Sequence, residues 1–180
     1  MTTNSPIFKF SNLQILMENR EIERKFLVTD DSFRSLATTH YDIIQGYISR
    51  EHGRSIRIRL RTAADGSQQA FLTIKTRLES FTRFEWEKPI SVEDFRALLP
   101  LCGNRIIDKT RYILPAQALS ENNTPTELSL KWEIDEFRSP NEGLVMAEIE
   151  LPSEDTPFIK PSFIGEEVTH DPRYYNANML

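Results

Sequence analysis

The chain has 180 residues, of which 39% are hydrophobic and 27% charged, and a net charge of −5 at neutral pH. That length can bury a sizeable core in one domain, and the acidic balance argues against a broad basic surface for nucleic acid. No apolar run approaches the roughly 20 residues of a membrane-spanning helix, and the single cysteine, Cys102, excludes an internal disulfide and fits a reducing, cytoplasmic setting.

The opening stretch MTTNSPIFKFSNLQIL lacks the basic, apolar and small-residue order of a signal peptide. Residues 1–17, ending at Met17, are expected to be an extension outside the fold or a short arm packed on it, and 18–180 a single domain. EIERKFLV (21–28) reads as the first strand, followed by a short helix over 31–37 with Asp or Ser caps. YDIIQGYISR and SIRIRLR, joined by EHGR, read as a β-hairpin. After the turn AADGSQ come the strands QAFLTIKTR and SFTRFEWEKPI; Pro89 ends the second, and Ser91 caps a helix over 91–99 with Asp94 at the box position. Further strands are expected at about 104–114, in TELSLKWEIDEF and in LVMAEIELP, with a short helix near 153–160. Eight mainly antiparallel strand candidates predict a closed eight-stranded β-barrel with short helices packed outside.

At period two, Glu21, Glu23 and Lys25 share one strand face and Ile22, Arg24 and Phe26 the other. The pattern recurs. Arg57, Arg59 and Arg61 oppose Ile56, Ile58 and Leu60; Thr73, Lys75 and Arg77 oppose Leu72 and Ile74; Glu85 and Glu87 oppose Phe84 and Trp86. Lys109 alternates with Arg111; Lys131, Glu133 and Asp135 oppose Trp132 and Ile134; Glu148 and Glu150 oppose Ala147, Ile149 and Leu151. On any one strand the ordinary reading is a solvated face over an apolar core. The residue types argue otherwise for the set. Carboxylates at i and i+2 repel unless a cation lies between them, and hard divalent ions take such oxygen ligands. Clustered Arg and Lys seek a polyanion, Arg through forked bonds to phosphate. Together they describe one ligand, a metal-complexed oligophosphate in a wet tunnel. A dry interior is excluded, because several kcal/mol per buried ion would exceed a domain's stability of about 5–15 kcal/mol.

Other chemistries lack support. There is no G-x-x-x-x-G-K-[ST] motif, His40, His52 and His170 lack zinc spacing, and Cys102 has no base near it in sequence. Trp86 and Trp132 read as packing outside the tunnel.

EIERKFLV resembles the E-x-E-x-K signature of the CYTH superfamily, the triphosphate tunnel metalloenzymes. QGYIS, IRIR, TIK, FEWE, KTRY, WEIDEF, AEIEL and the closing VTHDPRYYN follow in that family's order. The resemblance runs from about Glu21 to the C-terminus. It implies a closed eight-stranded antiparallel barrel and hydrolysis of a triphosphate compound, inorganic triphosphate first. Class IV adenylate cyclase and thiamine triphosphatase are the alternatives within the family, with Trp132 or Tyr47 as a ring platform for the latter. A non-catalytic module that binds nucleotide or polyphosphate is the alternative outside enzymes. The resemblance implies that Glu21, Glu23, Glu148 and Glu150 bind Mg²⁺ or Mn²⁺, assisted by Asp135 or Glu133. It makes Lys25, Arg57, Arg59, Lys75 and Arg111, joined by Lys109, the phosphate clamp, and places Glu85 and Glu87 behind the metal carboxylates or at a second ion. Tyr47 would act with Lys25 as a proton acceptor, and Asp171, Arg173 and Tyr174 would fold over the tunnel mouth. The partner is then a small-molecule triphosphate, with no membrane involved and a homodimer left open.

Overall fold

A computed structural model describes residues 20–51, 54–79, 82–119 and 124–180. The extension expected over 1–17 and His52 lie outside the described residues. Nine strands make up one sheet: β1 Arg20–Val28, β2 Thr39–Glu51, β3 Arg54–Ala63, β4 Gln68–Glu79, β5 Thr82–Ile90, β6 Ile106–Leu119, β7 Pro125–Ser139, β8 Val145–Glu150 and β9 Ile164–Glu167. Their order is β5-β4-β3-β2-β6-β7-β8-β1-β9, with β5 also paired to β1. All these pairings are antiparallel.

The expected eight strands thus become nine, and the closed barrel is not obtained as a full ladder. One edge of β1 pairs with β8 over Glu23 to Leu27. The other edge is divided: residues 20–22 pair with β5, and Phe26 and Val28 pair with β9. The seam between β5 and β1 is therefore three residue pairs long, because β9 occupies the rest of that edge. β9 was missed because four residues carry too little alternation to read.

Helices α1 (Phe33–Leu36) and α2 (Val92–Leu98) are short. The Ser91 hydroxyl accepts from the Asp94 amide and donates to its carboxylate, as the capping pattern predicts. No helix forms over 153–160. Pro152, Pro157 and Pro161 break the stretch, which turns through Thr156 N–H to Ser153 O.

The largest apolar cluster lies on the outer face of β1, β7 and β8. Phe26, Trp132 and Phe158 meet edge to face at 5.5–6.2 Å, and Ile22, Ile134, Ile149 and Phe163 fill around them. Arg24 also belongs to this outer face: it pairs with Glu167 on β9 and lies over the Phe158 ring at 5.2 Å. A second cluster packs α2 onto β3 and β4 through Ile58, Ala70, Phe95 and Cys102. There the buried Cys102 thiol explains Gly46, since a Cβ at that position would lie 2.5 Å from Cys102 Sγ. Most apolar residues of these strands thus point outward, many under covering segments, and the alternating charged residues of the repeated pattern inward. Trp132 packs outside the cavity, as expected from its spacing.

Trp132 is 1% exposed. Its replacement by Ala is expected to cost about 3–5 kcal/mol of stability in denaturant unfolding. Trp132→Phe, which keeps an aromatic edge for Phe26 and Phe158, should lose less and leave ligand binding unchanged. Lost binding in a folded Trp132→Phe protein would return Trp132 to the site.

Candidate active site

A cavity of about 670 Å³ runs inside the curved sheet and is lined by the inward residues of β1 to β8. Its two sides differ in sign. The adjacent strands β7, β8 and β1 present Glu133, Glu148, Glu150, Glu21 and Glu23, and β5 adds Glu85 and Glu87. Facing them, β3 presents Arg57, Arg59 and Arg61, β4 presents Lys75 and β6 presents Arg111.

The ladder register sets carboxylates directly opposite one another. Glu23 is the Cα partner of Glu150, and Glu133 of Glu148. Like charges so placed are destabilising, and cations from the same and from other strands answer them. Lys25 Nζ reaches Glu148 and lies 2.9 Å from Glu23. Lys75 Nζ binds Glu21 at 2.7 Å and Glu85 at 2.7 Å. Arg111 spans Glu133, Asp135 and, at 3.0 Å, Glu148. Arg59 holds Glu87 at 2.8 Å, and the buried Thr73 hydroxyl donates to the same carboxylate at 2.6 Å.

The titration behaviour follows these contacts. Burial alone would raise the Glu133 carboxyl, but Arg111 and Lys131 bring it down to about 2. Burial is likewise overcome at Glu148, which Lys25, Arg111 and Lys109 hold well below the usual range. Glu21 is raised, by burial first and then by Glu85 against the pull of Lys75. Glu150 is raised by lost hydration and then by Glu21, Glu133 and Glu85, with Lys131 opposing. Burial works to lower Lys25, yet Glu148 and Glu23 outweigh it and the net shift is upward. Arg59 is pushed down to about 10, by burial and then by Arg57 and Arg111. It stays charged at neutral pH, so that shift measures a cost an anion would relieve.

Two expected site residues are buried and do not line the cavity. Lys109 and Asp135 are each 1% exposed and bind each other. Lys109 is pushed down to about 8, by burial and by Arg111 against Asp135. Asp135 also takes two bonds from Arg111 at 2.6 Å, so it orients the guanidinium that reaches the cavity. Glu85 and Glu87, expected farther back, line the cavity and bind its cations. Tyr47 lines it too, with Gln45 Nε2 donating to its hydroxyl at 3.4 Å. A β-bulge follows Tyr47, and Arg105 caps the carbonyls of Tyr47 and Ile48. In the tail, Asp171 and Arg173 bind each other on the surface rather than covering the mouth. Tyr174 packs in an apolar cluster, and the residues that reach the cavity are Asn176 and Ala177.

Sequence reasoning left Tyr41, Arg61, Lys131 and Asn176 out of the site, though all four line the cavity. Arg61 and Lys131 carried the signal, since each continues the period-two face of assigned neighbours. Arg61 lies 4.5 Å from the Tyr41 ring and 5.4 Å from that of Phe71.

The donor set fits a hard divalent cation in kind, being all carboxylate oxygen set in opposed pairs. Among the described residues no three acidic, His or Cys side chains converge on one point. Lys25, Lys75 and Arg111 hold the carboxylates instead.

The depressed Glu133 and Glu148 stabilise the fold above their unfolded pKa, and that stability drains as pH falls through their folded values. The raised Glu21 and Glu150 act the other way and favour the fold in acid. Glu133, with 4.5 as its ordinary value and about 2 in the fold, sets an acid window between those limits. Glu133→Gln is expected to lose on the order of 2 kcal/mol at neutral pH and to flatten that acid limb. Denaturant unfolding across the window, in chelator, checks it; an unchanged slope would remove Glu133 as the group responsible.

The chain matches the CYTH domain family over residues 19–175. An inorganic triphosphatase of Acetivibrio thermocellus is 39% identical over 162 residues, covering 89% of this chain and 93% of that protein. One of Nitrosomonas europaea is 36% identical over 160 residues, covering 87% and 93%. A solved inorganic triphosphatase structure, 31% identical, covers 88% of this chain and 93% of its own with a TM-score of 0.55. With a family match over most of its length and two such relatives, the chain belongs to the CYTH domain family.

Proposed function

We propose that this protein is a metal-dependent hydrolase of triphosphate compounds, acting first on inorganic triphosphate to give pyrophosphate and phosphate. The names of its relatives support the reading. The observation that carries it is on β3: Arg57 and Arg59 line the cavity, and the Nε of each is buried with no acceptor. Orphaned donors on a charged wall cost free energy until an acceptor arrives. A phosphate chain supplies several oxygens at guanidinium spacing.

The sheet, in this proposal, closes through the β5–β1 seam into a charged tunnel, which keeps Glu21 on β1 beside Lys75 on β4. Mg²⁺ or Mn²⁺, held by Glu21, Glu23, Glu148 and Glu150 with Glu133 assisting, supplies charge neutralisation and a polarised water when bound. Arg57, Arg59, Lys75 and Arg111 hold the phosphate oxygens and stabilise charge that gathers on them during in-line attack. Asp135 and Lys109 keep Arg111 aimed. Lys25 and Tyr47 handle the proton. Glu148 and Glu23 hold the Lys25 proton in place, and the engagement of those carboxylates elsewhere would remove that hold and lower the Lys25 pKa, so that it releases its proton and the neutral amine can then accept one. A cytoplasmic setting, with Cys102 unpaired and buried, is part of the proposal. Among the described residues no helix is long and apolar enough to cross a membrane. Trp132, buried in the outer cluster, no longer offers a ring platform for thiamine.

Phosphate and cyclic nucleotide release from inorganic triphosphate, ATP and thiamine triphosphate, with Mg²⁺ or Mn²⁺, tests the reading beside Glu23→Ala. Fast phosphate release from inorganic triphosphate, cut by about 10²-fold or more in the variant, is expected. Cyclic AMP with pyrophosphate would make the protein a cyclase. Binding without turnover that survives Glu23→Ala would make it a non-catalytic phosphate module.

A further inference from the structure

Three residues stand in one row on the inner face of β3, β4 and β5. The register sets Arg57 of β3 directly opposite Thr73 of β4, and Thr73 opposite Glu87 of β5. Arg57 and Glu87 line the cavity, and Thr73 is 0% exposed. The Thr73 hydroxyl donates to Glu87 Oε2 at 2.6 Å and accepts from Arg57 Nη2 at 3.3 Å. Both directions are fixed by chemistry, since a guanidinium can only donate and an ionised carboxylate can only accept. Burial works to raise the Glu87 carboxyl, but Arg59, the Thr73 hydroxyl and Arg57 carry it below its ordinary value.

Arg57 differs from the other cations around it. Lys25, Lys75, Arg59 and Arg111 each hold a carboxylate at 3.0 Å or closer. Arg57 Nη2 lies 3.7 Å from Glu85 and 3.6 Å from Glu87, beyond hydrogen-bond length. Its Nε is buried with no acceptor. Opposite charges attract strongly at that range in a partly dry cavity, so the open gap needs a cause. The Glu87 oxygen nearest Arg57 is Oε2. Two donors already occupy it, the Thr73 hydroxyl and Arg59 Nη2 at 2.8 Å. The hydroxyl that occupies this oxygen is also the group that holds Arg57 Nη2.

We infer that Thr73 is a positioning residue: its hydroxyl keeps Arg57 out of an ion pair with Glu87 and so leaves the guanidinium open to a phosphate oxygen. The inference rests on the triphosphate reading above and deepens it. Arg59 has a carboxylate to give up before it binds an anion. Arg57 gives up only a neutral hydroxyl at 3.3 Å. A charged phosphate oxygen is the stronger acceptor of the two, so the exchange favours the ligand. Without the hydroxyl, Glu87 Oε2 lacks a donor, and Arg57 is the group at hand to supply one. The pair then closes, and a phosphate has to break it.

Crystal structures of the unaltered protein and of Thr73→Val, both without ligand, read the gap directly. The separation of Arg57 from Glu87 is expected to close from 3.6 Å to about 2.9 Å, the length of a charged N–H···O bond. Calorimetric binding of an imido-bridged inorganic triphosphate analogue to the full chain, with Mg²⁺ present, reads the consequence. Thr73→Val should weaken binding about tenfold, and Thr73→Ser, which keeps the hydroxyl, should stay within about twofold of the unaltered protein. In a Glu87→Gln background, which removes the competing charge, the valine should cost less than about twofold. Where the valine is not tolerated, Thr73→Ala removes the same hydroxyl and should show the same closure and the same loss. A gap that stays open in these variants, or an equal loss with and without Glu87→Gln, overturns the inference. Because the gap is read without ligand, an unaltered protein that binds no triphosphate overturns the triphosphate reading, and the distance still decides the role of Thr73.

Discussion

The rest of the structure depends on carboxylates set face to face. The β ladder leaves no freedom here: directly opposed residues hold their Cβ atoms about 4.5–5.5 Å apart. Glu23 therefore faces Glu150, and Glu148 faces Glu133, for as long as β1, β8 and β7 stay paired. The sheet curls so that cations from strands two positions away reach this acidic wall, Lys75 from β4 to Glu21 and Arg111 from β6 to Glu148. The apolar residues of the same strands must then point outward. Segment 151–163 covers Trp132 and Phe26, and α2 covers Ile58 and Ala70. The core lies around the cavity instead of inside it.

Burial and pairing compete throughout the inner face, and the outcome differs with the charges each group meets. Lys109 meets Asp135, which Arg111 also holds, and Arg111 repels it. Burial still wins for the lysine, whose pKa falls to about 8. Such a pair is weak evidence for stability, since desolvation offsets most of the attraction. Where two or more opposite charges converge, pairing wins: Glu133 and Glu148 are held ionised, and Lys25 protonated. Ion pairs on the outer surface, such as Arg138 with Asp42 and Asp108, contribute little each. Net stability comes from the three apolar clusters, while the charged face sets what the cavity can hold.

The alternation itself was legible in the sequence, because period two needs no tertiary information, and residue type chose its direction. Three Arg on one strand beside repeated E-x-E pairs pointed inward, although Asp42, Asp108 and Arg138 show that charges also occupy the outer face. Depth was not legible. Lys109 and Asp135 have the same parity as Arg111 and Glu133, and only the packing of Phe137 and the neighbouring side chains buries them. β9 escaped because its four residues pair with an edge of β1 that its own sequence does not specify. The helix expected over 153–160 failed on local grounds, with three prolines in and around it. Asn176 offered no periodic signal, since an irregular tail acquires its place from the apolar cluster its neighbours pack into.

A site that neutralises itself has a consequence for how ligands bind. Lys25, Lys75 and Arg111 now serve as the counterions of the carboxylates, and the carboxylates as theirs. A cation alone, entering among Glu21, Glu23, Glu148 and Glu150, would leave those ammonium and guanidinium groups half-buried without partners. A polyphosphate alone would draw the same groups away and leave opposed carboxylates facing each other across one ladder step. Either ligand by itself thus bears a desolvation and repulsion cost that the other removes, since the two together give every charge on both walls a new partner. By linkage, each must raise the affinity of the other by the same factor. Under the proposed function, the face-to-face carboxylates, a liability in an isolated sheet, would then act as the device that makes the cavity select the metal–phosphate complex over either component.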